Sequence, residues 1–361
     1  MSFLICDARV RPPYPGQDPS LQPVVAFMTM LASPYLLYLG DVQDPISAKT
    51  ARGIAYFRPE LCVGQHRLPG CTLSVGLPDL DLKEAAARGA KTLVLGIANH
   101  GGYIDQAWIP AILEALELGM DVANGLHARL SDIDIVRRRA EELGRTLHDV
   151  RHAGGPYPIG KGKRRTGRRL LTVGSDCSIG KMYSSLVLEA EMKRRGIDAT
   201  FAATGQTGIL IAGGGVPLDA VVSDFISGSV EWLTPDRDPG HWWVVEGQGS
   251  LFHPSYAGVS LGLLHGAAAD ALVMCHEPTR PHMRHMPDFP VPPLDRCMEA
   301  NLAAARLTNP DARFIGIALN TQHMARAEAD RLCRELEQEF QLPCVDPVVH
   351  GTAAIVDNLP G

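Results

Sequence analysis

A chain of 361 residues with 45% hydrophobic, 20% charged and 6% aromatic residues has the make-up of a globular protein of about two domains. Its 34 Lys+Arg against 40 Asp+Glu leave a formal charge of −6, without the cation surplus that nucleic-acid phosphates demand, so no nucleic-acid partner is expected. No uncharged apolar stretch of roughly 18 residues is present, so no membrane span is expected.

The eight cysteines show no C-x-x-C spacing, which argues against a structural zinc site, and no metal is assigned. Reduced thiols, and a start (Met1 to Asp7) without a leader pattern, make the cytoplasm the expected compartment. Glycine is the unusual entry, at 36 residues, and the glycines are bunched.

In chain order, Tyr35-Leu-Leu-Tyr-Leu-Gly-Asp41, at the end of the apolar stretch from Pro23 to Leu39, reads as a strand. Lys91 to Ala98, running into Asn99-His-Gly-Gly102, and Asp121 to His127 read as two more. Helical patterns cover Leu82 to Arg88, Trp108 to Leu118 before Gly119, and the segment from an N-capping Ser131 to Leu143 before Gly144. Strands alternating with helices predict a parallel sheet whose carboxyl edge carries Asp41, Asn99, His100 and His127.

From Ala153 the chain turns rich in Gly and Pro, then basic, with Lys161, Lys163, Arg164, Arg165, Arg168 and Arg169. This segment reads as a solvated linker, with a cationic rim for an anionic ligand as the alternative. The expected division is a Rossmann-like domain over 1–152, a basic linker over 153–169 and a phosphate-loop domain over 170–361.

The second half opens with the strand Leu170 to Val173, then Gly174-Ser-Asp-Cys-Ser-Ile-Gly-Lys181, then a helix from Met182 to Arg195. Further strands are expected at Ala199 to Ala203, Trp242 to Val245, Ala271 to Cys275 and Phe314 to Leu319. Strand, glycine-bounded loop ending in Gly-Lys, and helix form the context in which backbone amides, helix dipole and lysine hold phosphate. The expected cofactor-binding set is therefore Gly174, Ser175, Asp176, Cys177, Ser178, Ile179, Gly180, Lys181 and Met182. Ser175 stands where the standard pattern has its first glycine, and Met182 where a hydroxyl would hold magnesium. The loop thus points to holding a diphosphate more than to cleaving one.

Glu246, delivered by the apolar run Trp242 to Val245 into a glycine turn, is the leading candidate proton acceptor, with Asp224 and His253 as rivals. Thr204-Gly-Gln-Thr-Gly208 and Gly213-Gly-Gly-Val216 form a second glycine bunch, equally readable as an ordinary connection or as a close approach to ligand. Gln206 and Thr207 are assigned there to substrate. In the loop His276 to His285, Arg280 and Arg284 have the guanidinium forks that pair with carboxylates.

The phosphate loop and Val244-Val-Glu-Gly-Gln-Gly249 resemble the two motifs of dethiobiotin synthetase and its relatives, over the second half only. Ile315-Gly-Ile-Ala-Leu-Asn320 is similar to their strand ending in a base-contacting asparagine, which assigns Asn320 to cofactor. A resemblance over nearly the whole chain is to the DgcN-type family, long a domain of unknown function. It rests on Leu39-Gly-Asp41, Ala48-Lys-Thr50, Cys62-Val-Gly-Gln65, Gly125-Leu-His127, the phosphate loop, Thr204 to Gly208 and Glu246-Gly-Gln-Gly-Ser250.

That family includes D-glutamate N-acetyltransferases, so the resemblance implies an acetyl-CoA-dependent N-acetyltransferase acting on a D-amino acid in its catabolism. A homo-oligomer is expected. Backbone amides at Gly205 to Gly208 or Gly247 to Gly249 would then meet the thioester oxyanion. Covalent catalysis by Cys177 ranks lower, since a cysteine in this loop would face phosphate. The alternatives are an ATP- and magnesium-dependent ligase or kinase, with Glu246 and Asp176 holding the metal, and a non-catalytic nucleotide-binding protein.

Overall fold

The computed structural model describes residues 31–44, 47–99, 101–152 and 154–360. The expectations for His100 and for the chain before Leu31 lie outside these residues.

The first sheet contains β1 Tyr35–Gly40, β2 Cys62–Arg67, β3 Thr92–Leu95, β4 Asp121–Asn124 and β5 Leu147–Asp149. All pairs are parallel and the order is β2-β1-β3-β4-β5, so the winding reverses between β1 and β3. β1 and β3 are buried along their whole length and pair Leu36 with Leu93. That is the environment that continuous Leu/Val/Tyr runs require, because a parallel sheet is covered on both faces.

The second half supplies β6 Arg168–Gly174, β7 Ala199–Ala202, β8 Trp242–Val245 and β9 Ala271–His276. A short antiparallel hairpin follows, β10 His282–Met283 with β11 Met286–Pro290, and then β12 Arg313–Leu319 and β13 Cys344–Val345. The main sheet runs β13-β12-β9-β6-β8-β7, again parallel. The chain is thus α/β in both halves, a Rossmann-like sheet followed by a phosphate-loop sheet.

The expected helices and strands recur with ends moved by a few residues. One cap differs: the helix Asp134–Leu143 starts after Ile133, while the Ser131 hydroxyl donates to Asp149 at 2.8 Å. Gly144 does end that helix, in the left-handed conformation at φ 61°.

The basic segment is only partly a solvated linker. Lys161, Lys163 and Arg164 are exposed, but Arg168 and Arg169 already belong to β6 and Arg169 is buried. Arg165 donates to Thr234 O at 3.0 Å, Gly266 O at 2.6 Å and Ala267 O at 3.1 Å. These carbonyls close the helices Ile226–Leu233 and Ala257–Ala267, whose negative dipole ends attract a cation.

One of the three buried clusters among the described residues runs across both halves, while the other two belong to the second sheet. Leu36, Leu93 and Ile112 of the first half are in the same buried cluster as Leu186, Phe201 and Leu210 of the second. Met182 packs against this cluster, so the residue that replaces the magnesium hydroxyl takes part in joining the two halves. Arg58–Glu189 and Arg151–Asp219 bridge the halves, each at 3.0 Å. Gly213 accepts from Leu31 N at 2.9 Å, so the second glycine bunch serves in part as contact between chain segments. No helix among the described residues is long and apolar enough to cross a membrane.

Candidate active site

The loop Gly174–Gly180 leaves the carboxyl end of β6 and enters the helix Lys181–Arg194. A Cβ on Gly174 would stand 2.7 Å from Ile179 Cδ1, so only glycine lets the loop fold back on itself here. Gly180 caps the helix at φ 105°, a conformation that strains other residues.

Asp176 is the hub of the loop. Fully buried, it accepts from Cys177 N at 2.7 Å, Arg280 Nη1 at 2.8 Å and Arg284 N at 2.8 Å. Arg280 also donates to Cys177 O and Ser178 O, and pairs with Glu277 at 2.5 Å. In a trans peptide the C=O and the following N–H point in opposite directions. Drawing the 177 and 178 carbonyls to Arg280 therefore turns the Ser178 and Ile179 amides away from it. Among the described residues, the amides of Ser178, Ile179 and Gly180 have no acceptor, which makes the loop a donor nest for an anion. Lys181 is buried with Nζ on Asp176 O at 2.6 Å and Gly249 O at 2.8 Å; burial lowers its pKa.

The Arg280 guanidinium, expected at a substrate carboxylate, is engaged here by Asp176, Glu277 and the loop carbonyls. Arg284 keeps its side chain free of carboxylates among the described residues, with Nε 3.2 Å from His285 Nε2.

Glu246 follows β8 and is 4% exposed. Its Oε2 accepts from Thr204 N at 2.9 Å and Gly205 N at 3.1 Å, while Oε1 has no donor among the described residues. Burial pushes its pKa up to about 7, against the lowering effect of those two amides and of Lys181. A Cβ on Gly208 would lie 2.3 Å from Oε2, so this glycine makes room for the carboxylate. The amides of Gly205 and Gly247 are occupied, the latter donating to Thr172 Oγ1 at 3.0 Å, and both drop out as oxyanion donors.

The rival bases fare differently. Asp224 is exposed in a 3-10 turn, and nearby Val222 is itself 66% exposed, so no apolar wall encloses this carboxylate. His253 is buried beside the loop, but Nδ1 accepts from Ser255 N at 3.2 Å and Nε2 lies 3.1 Å from Arg284 O. Both ring nitrogens are thus engaged. Asp176, Cys177 and His253 bring ligand atoms within 4.8 Å of one another. With Asp176 on Arg280 and both His253 nitrogens bonded, this cluster is a hydrogen-bonded brace. Burial raises the Cys177 thiol, the opposite of nucleophile activation.

Asn320 directly follows β12, with its Cβ 3.9 Å from a Cβ built on Gly180, at the lip of the loop. Thr207 Oγ1 lies 3.3 Å from Thr50 Oγ1, and Gln206 packs near Gly125, so both face the first domain. Sequence reasoning missed His276, whose Nδ1 is 2.9 Å from Ser175 Oγ and whose pKa falls to about 4 on burial.

Residues 66–153 match the model of the Rossmann-like N-terminal domain of DUF1611, a domain of unknown function, and residues 158–356 match its P-loop domain. A D-glutamate N-acetyltransferase of Tritonibacter scottomollicae is 53% identical over 91% of this chain and 99% of its own length. One from Pseudoalteromonas is 50% identical over 90% and 98%. The crystal structure of a DUF1611 family protein from Anabaena variabilis superposes with a TM-score of 0.77 at 30% identity, covering 91% of this chain and 99% of that one. On domain order, sequence and fold together, this chain belongs to the DUF1611 family.

Proposed function

We propose that this protein transfers the acetyl group of acetyl-CoA to the amine of D-glutamate, in cytoplasmic D-amino-acid catabolism. The observation that carries the chemistry is Glu246, anchored through one oxygen, free at the other and poised at a pKa of about 7. The activity named for both relatives supports the substrate. The amine nitrogen attacks the thioester carbonyl carbon and its proton passes to Glu246. The tetrahedral intermediate then collapses with loss of the C–S bond, and the CoA sulfur leaves as a thiolate that takes up a proton. The donor's diphosphate fits the amides of Ser178 to Gly180 with Lys181 behind them.

The ATP- and magnesium-dependent alternative is weakened by residues. Asp176 is paired with Arg280, Glu246 is held by two amides, and Met182 has no hard oxygen to offer. A non-catalytic role leaves the raised pKa of Glu246 without a use.

Purified protein with D-glutamate and acetyl-CoA, and no ATP, is expected to release free thiol, read with a disulfide reagent. No release across a panel of D-amino acids overturns the proposal, and magnesium-dependent formation of ADP would favour the ligase. Lys181→Ala is expected to raise KM for acetyl-CoA by about tenfold or more. An unchanged KM would remove the loop from donor binding.

A further inference from the structure

Three cations from the carboxyl edges of both sheets converge where the domains meet. Lys49 opens the helix Lys49–Phe57 just beyond β1, and its turn is pinned to the end of β3 by Ala51 N to Gly96 O at 3.0 Å and Ala98 N to Ser47 O at 2.7 Å. That position is the strand-order reversal between β1 and β3, where parallel α/β sheets open a crevice. Arg151 lies just past β5 and reaches across to Asp219 of the second domain. Arg284 sits in the turn of the hairpin after β9, its own amide tied to Asp176 of the phosphate loop. Lys49 feels both Arg284 and Arg151 electrostatically, and partial desolvation together with these two charges lowers its pKa.

The charge count is unbalanced. Asp219 meets Arg151, but Lys49 and Arg284 have no carboxylate partner among the described residues. Two uncompensated cations in one crevice are unfavourable until an anion arrives. The crevice is also close to the proton acceptor through a short chain of contacts: Glu246 holds Gly205, two residues on is Thr207, and Thr207 touches Thr50, the neighbour of Lys49.

We propose that Lys49, Arg151 and Arg284 form the seat for the two carboxylates of an amino-dicarboxylic acid, contributed jointly by the two domains. This inference rests on the acetyltransferase reading and gives the first domain a role in it. The same cations would favour the neutral, nucleophilic form of the substrate's amine by repelling its ammonium form.

The test compares D-glutamate with D-glutamine, which has a neutral amide in place of the side-chain carboxylate, in wild type, Lys49→Met and Arg284→Ala. At least one variant is expected to raise KM for D-glutamate about tenfold or more with a smaller rise for D-glutamine, which brings one carboxylate to the seat instead of two. Equal effects on both amino acids in both variants, or no effect in either, overturn the seat. A rise confined to KM for acetyl-CoA, and absent with acetyl-dephospho-CoA as donor, also overturns it and assigns the cations to the donor's phosphate. Calorimetric titration with glutarate, a plain dicarboxylate, is independent of turnover. Binding by wild type that is lost in Lys49→Met supports the seat even if no acetyl transfer is found, whereas no difference between the two overturns it. The Lys49 side chain has no ion-pair partner among the described residues that its loss would strand, so unchanged melting temperatures should accompany these results.

Discussion

Glu246 is held in a state that favours reactivity over stability. Its folded pKa of about 7 lies above the ordinary 4.5, so folding takes up a proton between those values. The stabilisation is complete below pH 4.5 and is lost as pH rises through about 7, to a total of about 3 kcal/mol. The rate of acetyl transfer should rise with pH along the same limb, because the base works deprotonated. Glu246→Gln is expected to lower kcat by ~10²–10⁴-fold and to erase that limb in the pH–rate profile. The same variant should melt higher than wild type at pH 8. Glu246 and Lys181 were legible in the sequence because each stands at a fixed place after an apolar run. Arg280 was not, since the carboxylate that claims it, Asp176, is 104 residues away and only the fold brings the two together.

Among elements, the buried strands were the most legible, because a parallel sheet covered on both faces demands runs such as Tyr35 to Leu39. β2 escaped notice for the opposite reason. Its inward residue Gln65 is buried by bonding to Ser74, Asp79 and Val75, a partnership no local pattern announces. The glycines divide by element as well. Gly208 lies in the helix Gln206–Ala212, where an added methyl would enter the Glu246 carboxylate. Gly208→Ala should therefore destabilise the fold by about 1–3 kcal/mol and suppress turnover. Gly258, in the helix Ala257–Ala267, has nothing within 4 Å of the corresponding position. Gly258→Ala should stabilise by about 0.5 kcal/mol with activity intact, a contrast that denaturant melts and thiol release can both read.

At the scale of the whole molecule, the two-domain division was visible in composition, but the joint between the domains was not. It is made by side chains such as Leu186, Phe201 and Leu210, which in sequence belong to the second domain and in space complete the core of the first. The intact protein should accordingly unfold in one calorimetric transition. A fragment of residues 31–152 should show no cooperative transition of its own, and independent melting of that fragment would contradict the shared core. A buried cluster that crosses from one half into the other also stiffens the joint at which two-lobed enzymes close over their substrates. The crevice between the sheets is then a standing mould, and binding energy need not be diverted into bringing two lobes together. Turnover would be timed by the chemical step and by product release, not by the swing of one half of the molecule against the other.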